Sequence, residues 1–220
     1  MAGFAMHREK ETGSRSRVLT LAMTLCGLLM LASTLLTEVI LALQGRFAEA
    51  IPMHLCSIAS IAAMLVSIGA RGMSLDFLWY LGMPGAMLAL LFPAPAMSRW
   101  QMLFNMSYVA THMLILIIPA LAMLGGDWPR RGRALWMMLL LQIIAMVAGI
   151  INRALGTDFL FLSAPPAQTP LVSIYRQGYG VYLLVLEGLM FALVLLMQAI
   201  RARIGPEPNV RRRAEWSRGA

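Results

Sequence analysis

Long apolar segments alternate with short polar ones along the whole chain of 220 residues. Six segments stay apolar for about 20 residues, a length that lets an α-helix cross a hydrocarbon core roughly 30 Å thick. We place them at about 18–43, 51–70, 74–92, 100–124, 134–153 and 179–201. The pattern predicts an all-α membrane protein, a six-transmembrane-helix bundle that occupies residues 18–201.

Composition supports a membrane protein and argues against a nucleic-acid-binding protein. Hydrophobic residues make up 60% of the chain and charged residues 13%, whereas soluble domains are about a quarter charged. The net charge of +8 comes from tails and alternate loops, and a basic groove interleaved with aromatic residues, as in nucleic-acid-binding proteins, is absent. We therefore expect membrane lipids, and no nucleic acid, as partners.

The distribution of basic residues predicts the orientation. A polar N-terminal tail (1–17), the loop at Arg71, the loop at 130–133 and the C-terminal tail (202–220) fall on one side in a six-span count. That side holds 14 Lys and Arg residues, and the opposite side holds four. Because basic loops stay in the cytoplasm, both termini are predicted to be cytoplasmic, in a bacterial inner membrane. We expect both tails to be disordered.

The two cysteines are predicted to be free thiols. Cys26 enters the first span from one side and Cys56 enters the second from the other, which separates them by roughly 10 Å in depth. A disulfide needs Cα atoms within about 7 Å.

The loop from 154 to 178 is unusually apolar. Large apolar residues follow Asp158 directly, and Pro165-Pro166 breaks any helix. Such a loop either packs over the mouth of the bundle, shielded by protein, or anchors itself at the membrane interface.

Polar residues inside the predicted spans converge on one half of the bilayer. Ionisable groups there are costly and usually mark a functional site. In the six-span topology the outer half contains Glu38, His54, Cys56, Asn105, Tyr108, His112, Asn152 and Glu187. The inner half is predicted to be mostly Leu, Met, Ile and Ala.

Helical spacing selects a candidate pair. Asn105, Tyr108 and His112 follow i, i+3, i+7 and share one face, whereas His54 and Cys56 are two apart and point to nearly opposite sides. Pro52 suits the first position of a helix, which puts Cys56 in the opening turns. We therefore predict Cys56 as a nucleophile and His112 as its base, with no metal and no cofactor.

Each of these residues also has a structural interpretation. A lone cysteine in a membrane is more often an inert small hydrophobe, and a histidine often makes an interhelical hydrogen bond. Glu38 could pair with Arg46 or with His54. Convergence in one half of the bilayer favours function, because structural hydrogen bonds should spread through both halves.

Four separated motifs carry a resemblance to a known family. The segment 51–58, Ile-Pro-Met-His-Leu-Cys-Ser-Ile, resembles the Leu-Pro-Leu-His-Leu-Cys-Ser signature of the transmembrane protein 164 family, which includes bacterial YwaF-like integral membrane proteins. Segment 82–91 resembles the Gly-Leu-Pro-Gly-Ala segment of that family, 112–116 its histidine span, and 156–162 its Gly-Thr-Asn-Tyr-Leu-Phe-Leu loop. The similarity covers roughly residues 25–200.

The resemblance implies a membrane acyltransferase that handles phospholipid acyl chains, with Cys56 and His112 in the roles of the central cysteine–histidine pair. The family is also similar to intramembrane lipid-ester hydrolases that use threonine and histidine. The chain departs from the pattern at Thr111, where many relatives have a second histidine, at Asp158, where the loop has asparagine, and at Ala164, where a lysine precedes proline.

Supporting roles follow as hypotheses. Asn105, Asn152 or Tyr108 could donate to an oxyanion, and Glu38 or Glu187 could orient a histidine. Asp158, in the loop, is a further candidate for a supporting or substrate-binding role.

Two further function classes stay open. A polar pocket also suits a non-enzymatic binding or transport module for a small or lipid ligand, with helices interrupted at Pro84 and Pro119. The other class is a haem protein in which His54 and His112 are the two axial ligands.

Overall fold

The computed structural model describes residues 2–93, 100–167 and 169–205, with side chains from residue 16 onward. Helices and connecting loops make up these residues, and none of them is in a strand. The α-helices are α1 (Ala2–Leu43), α2 (Leu55–Ser67), α3 (Met73–Phe77), α4 (Met83–Leu91), α5 (Gln101–Leu124), α6 (Ala134–Leu155), α7 (Leu171–Tyr175) and α8 (Tyr179–Arg203). A π-helical segment (Leu78–Gly82) joins α3 and α4 into one continuous helix, and a 3₁₀ turn (Phe159–Phe161) follows α6.

Five helices in the described part of the chain are long and apolar enough to cross a membrane. They are Ser16–Leu43 within α1, the continuous helix Met73–Leu91, α5, α6 and α8. The remaining apolar helix, α2, has 13 residues and is about 20 Å long, shorter than the hydrocarbon core. The prediction of an all-α membrane protein is confirmed, and the count of six spans stays a prediction.

The expected disorder of the N-terminal tail is wrong. The backbone of α1 is helical from Ala2, well before the predicted start of the span. Adding residues to an existing helix costs far less free energy than nucleating a new one, and no proline occurs before Pro52. The helix of the first span therefore continues into the tail. Most of the predicted C-terminal tail, residues 206–220, lies outside the described residues.

The start of α2 differs from the prediction. His54 is extended (φ −69°, ψ 147°) and the helix begins at Leu55. Pro52 lies in the preceding bend, where the Met53 N–H donates to the Ile51 carbonyl at 2.7 Å, so its predicted place at the first helical position is wrong. Cys56 is still the second residue of α2, in the opening turn as predicted.

The continuous helix Met73–Leu91 occupies the centre of the bundle. It packs against α2, α5, α6 and α8, and its residues 75–82 are all buried. The π-helical segment immediately precedes Pro84. Because proline has no N–H for the usual i−4 carbonyl, a wider turn accommodates it. The predicted interruption at Pro119 is wrong, since α5 continues through that residue.

A buried ion pair closes one end of the bundle. Asp76, fully buried, accepts hydrogen bonds from the Arg130 backbone N–H at 2.7 Å and from Arg130 Nε at 2.6 Å. The Tyr80 hydroxyl lies 2.9 Å from the Arg130 carbonyl oxygen and 2.6 Å from Gln198 Oε1 on α8. Arg201, also buried, donates to the carbonyl of residue 129 at 2.7 Å. The inner half was predicted to be mostly apolar, and the polar network of Asp76, Tyr80, Arg130 and Gln198 within it was not anticipated.

Hydroxyl groups join α1 to α5. Ser33 Oγ donates to the Ser107 carbonyl at 2.9 Å, and Ser107 Oγ donates to the Ser33 carbonyl at 2.6 Å. Ser33 Oγ also lies 2.8 Å from Thr111 Oγ1, and Thr37 Oγ1 bonds to Ser107 Oγ. Such bonds replace the hydrophobic driving force that is missing between helices in lipid. They fix the side of α5 that presents His112.

Replacing Asp76 with alanine should destabilise the fold by about 3 kcal/mol, because it breaks a buried ion pair and leaves the Arg130 N–H unpaired. The measurement is reversible unfolding in mixed micelles with increasing SDS. Arg71→Gln is the control, since Arg71 pairs with Asp127 near the surface and such pairs contribute about 1 kcal/mol or less. Equal losses in the two variants would contradict a structural role for the buried pair.

Candidate functional site

A cavity of about 1210 Å³ opens at the end of the bundle opposite the Asp76 network. Helices α1, α2, α4 and α5 line one side, α6 and α8 line the other, and residues 157–162 cover part of it. Seven of the nine predicted site residues line this cavity: Glu38, His54, Cys56, Tyr108, His112, Asp158 and Glu187. The sequence-predicted convergence therefore corresponds to one cavity.

Cys56 is half-buried in the first turn of α2. Its carbonyl accepts a hydrogen bond from Ser60 Oγ at 2.8 Å. As in any α-helix, the first backbone N–H groups of α2 have no intrahelical partner. No side chain caps them either. Among the described residues, no hydrogen bond joins the Cys56 thiol to His112; the two residues share a cavity but are not a preformed pair.

The imidazole of His112 is buried and held in one tautomer. Its Nδ1 lies 2.7 Å from the Tyr108 carbonyl oxygen. A carbonyl only accepts, so Nδ1 carries the proton and Nε2 keeps its lone pair. The Tyr108 ring packs 4.2 Å from the imidazole, and its hydroxyl donates to the Ala89 carbonyl at 2.9 Å. The geometry leaves Nε2 as the proton-accepting atom.

His54 lies under the loop that covers the cavity. Its ring is 5.0 Å from the Phe159 ring in a T-shaped contact and 6.0 Å from the Phe161 ring. The sequence argument placed His54 and Cys56 on opposite sides of one helix. Because the helix begins only at Leu55, that spacing does not apply, and both residues line the cavity.

Asn152 organises the loop. Its Oδ1 accepts from the Phe159 N–H at 2.7 Å and from Thr157 Oγ1 at 3.0 Å, while its Nδ2 donates to the Phe159 carbonyl at 3.0 Å. The amide is therefore used by the loop, and Asn152 does not line the cavity. Asp158 Oδ1 accepts from the Ser163 N–H at 2.8 Å.

The same loop contains two strained residues. Leu160 (φ 59°) and Phe161 (φ 55°) adopt left-handed conformations that are unfavourable for large side chains. Tyr182 and Tyr179 donate their hydroxyl hydrogens to the carbonyls of Phe161 and Leu162. Such strain persists only where surrounding contacts over-determine the conformation. Residues 157–162 line the cavity, which agrees with packing over the bundle mouth, one of the alternatives left open from the sequence.

The carboxylates at the cavity have different surroundings. Glu187, exposed on α8, accepts a hydrogen bond from Gln142 on α6. Arg46, one of the two partners considered for Glu38, instead pairs with Glu49, with Nε 2.8 Å from Oε1. The Oε2 atom of Glu38 is buried and has no hydrogen-bond partner among the described residues.

Asn105 is exposed and lies outside the cavity lining. The polar cavity residues that were not anticipated include Thr34 and Gln142. Nothing in the type of these side chains distinguishes them from other polar residues in helices. The one available signal was that Thr34 lies four residues, about one helical turn, before Glu38. Within the described part of the chain, no three His, Cys, Asp or Glu side chains come together as a metal site.

The model of the TMEM164 family matches residues 1–198, and the chain belongs to that family. No curated protein and no solved structure matches the chain.

Replacing Asn152 with alanine should increase the alkylation rate of Cys56 by N-ethylmaleimide about tenfold in native membranes. The change removes three hydrogen bonds that hold the covering loop, and a net loss near 1.4 kcal/mol raises the open population tenfold. The measurement uses a Cys26→Ala background. Thr157→Val, which removes one of the three bonds, should have a smaller effect. Identical rates in all variants would show that the loop does not shield Cys56.

Proposed function

We propose that this member of the TMEM164 family is an integral membrane acyltransferase or lipid-ester hydrolase that acts on phospholipid acyl chains. The observation that supports this best is the shared cavity of Cys56 and His112, with the tautomer of His112 leaving Nε2 able to accept a proton. A thiol and a neutral imidazole with a lone pair are the parts of an activated nucleophile.

The reaction has two halves. His112 Nε2 takes the thiol proton of Cys56, and the thiolate attacks the carbonyl carbon of an acyl ester. The S–C bond forms, the ester C–O bond breaks, and the proton on His112 goes to the leaving alkoxide. An acceptor hydroxyl or water then gives its proton to His112 and attacks the thioester, which releases the thiolate. Catalytic hydrogen bonds often tighten only with substrate present, so the unliganded separation of thiol and imidazole is compatible with this cycle.

Backbone groups supply the oxyanion site in this proposal. The N–H groups of Cys56 and Ser57 lie in the uncapped first turn of α2, where free N–H groups and the helix dipole favour negative charge. The side chains first considered for this role are engaged elsewhere or lie outside the cavity: the Tyr108 hydroxyl binds Ala89, Asn152 binds the loop, and Asn105 is exposed.

The cavity lining favours an amphiphilic substrate. Large apolar side chains from α4, α6 and α8 (Leu88, Leu141, Leu183 and Met190) line one part, and the charged groups of α1, the 44–54 segment and the covering loop line another. A lipid ester, with an apolar chain and a polar headgroup, matches both parts.

Purified protein with a p-nitrophenyl ester of a long fatty acid should form an acyl-enzyme on Cys56. Cys56→Ala should abolish it, and His112→Ala should slow its formation by about 100-fold or more, the usual contribution of a general base. Intact-mass spectrometry and the release of p-nitrophenol measure the two events. Cys26→Ala is the matched thiol control and should acylate as the wild type does.

An acyl-enzyme that persists in Cys56→Ala would contradict this mechanism. Absence of acylation in the wild type, together with saturable binding of a lipid probe, would instead support the binding-module alternative, which a large cavity without a preformed Cys56–His112 bond also suits.

We further propose that α2 crosses the membrane as a sixth span, with both termini in the cytoplasm of a bacterial inner membrane. Its burial against α1, α5 and the central helix supports this, because a short helix enclosed by longer ones does not need to match the full hydrocarbon thickness itself. The bias of basic residues supports the orientation.

Fusions of alkaline phosphatase, which is active only outside the cytoplasm, test the topology. Fusions after residue 204 and after residue 71 should be inactive, and a fusion after residue 48 should be active. A green fluorescent protein at the C-terminus should fluoresce. Phosphatase activity after both 48 and 71 would show that α2 does not cross.

A further inference from the structure

Two neighbouring residues on α1 have polar atoms that the fold leaves unused. Thr34 and Glu38 are one helical turn apart and both line the cavity, so their Cβ atoms lie about 5–6 Å from each other. Thr34 Oγ1 and Glu38 Oε2 are buried, and neither has a hydrogen-bond partner among the described residues. Buried polar groups are nearly always paired, and exceptions call for an explanation such as a missing ligand.

The contrast with the rest of α1 makes this pair specific. Ser33 and Thr37, on the adjacent face, bond to hydroxyls and carbonyls of α5. Thr37 also lines the cavity, but its hydroxyl is bonded to α5, whereas Thr34 Oγ1 and Glu38 Oε2 have no hydrogen-bond partner among the described residues. Thr34 and Glu38 line the same cavity as Cys56, the proposed nucleophile.

The chemistry of the pair selects the ligand group. A carboxylate oxygen only accepts a hydrogen bond, while a threonine hydroxyl can both donate and accept. An alcohol complements both, because its O–H donates to Glu38 while its oxygen accepts from Thr34. An ammonium group has no acceptor and would leave the Thr34 hydrogen unpaired.

We propose that Thr34 and Glu38 bind the hydroxyl of the acyl acceptor, a lipid alcohol such as the free hydroxyl of a lysophospholipid. This inference rests on the proposed function and concerns its second half. In the transfer step the hydroxyl hydrogen moves from its hydrogen bond with Glu38 to His112 Nε2, and the hydroxyl oxygen forms the new ester bond to the acyl carbon. The S–C bond to Cys56 breaks, and His112 returns the proton to the released thiolate. Thr34 and Glu38 hold the alcohol in place of water and so favour transfer over hydrolysis.

The experiment separates the two halves of the reaction. Wild type, Thr34→Val and Glu38→Gln are acylated with the p-nitrophenyl ester and then given increasing concentrations of oleoyl-lysophosphatidylcholine. Acylation of Cys56 should be unchanged in both variants, while the KM for the lysolipid rises about tenfold in each, as expected for the loss of one hydrogen bond in a protein interior. The ratio of diacyl product to free fatty acid should fall correspondingly.

The matched control is Thr24→Val, which removes a hydroxyl from the same helix at a residue outside the cavity lining; it should leave the KM and the product ratio unchanged. An unchanged KM and product ratio in Thr34→Val and Glu38→Gln, with normal acylation, would overturn the acceptor site alone. An equal fall in hydrolysis and transfer would also overturn it, since the pair would then hold water or support the fold. If wild-type Cys56 does not acylate at all, the proposed function fails as well.

Discussion

The buried contact between Asp76 and Arg130 is the constraint on which the arrangement of the bundle depends. A carboxylate with no exposed surface in an apolar bundle is tolerable only when its charge and its lone pairs are matched, and both oxygens of Asp76 are bound by Arg130. Because Arg130 belongs to the segment between α5 and α6, this contact sets where α6 begins relative to the central helix. Tyr80 and Gln198 bring α8 to the same point. These contacts therefore hold α6 and α8 to the central helix at one end of the bundle.

At the other end, small residues of the central helix line the cavity. The central helix passes through its π-helical segment and presents Gly82, Gly85 and Ala86 to the cavity. A Cβ on Gly85 would lie 3.0 Å from Leu55 Cδ2, so glycine allows the first turn of α2 to approach the helix closely. That approach positions Cys56, the residue after Leu55, at the cavity. The polar network and the small residues are thus parts of one arrangement, with the closed end fixing the helices and the open end leaving space between them.

The sequence predicted the elements better than their contacts. The boundaries of α5, α6 and α8 fall within a few residues of prediction because apolar length is a local property that the bilayer enforces. The convergence of Glu38, Cys56 and His112 was also predictable, since topology alone places them at one depth. The role of Asp76 was not, because its partner lies 54 residues away and nothing local distinguishes a carboxyl that will be buried from one that will be solvated. His54 was misjudged for another reason: its orientation depends on the helix beginning at Leu55, and helix ends are the least predictable feature.

The Asp76 network and the cavity also differ in how completely their polar groups are paired. At the closed end both oxygens of Asp76 and the Tyr80 hydroxyl have partners, while Arg131 Nε is buried without one among the described residues. At the cavity, the imidazole of His112 has one nitrogen bonded and one available, and Glu38 has an oxygen without a partner among the described residues. Leaving such groups unpaired in an apolar surrounding lowers stability, so they persist where another requirement retains them. Strain in the covering loop at Leu160 and Phe161 is concentrated at the same place. Their joint presence around one cavity supports the proposal that a bound molecule completes the pairing.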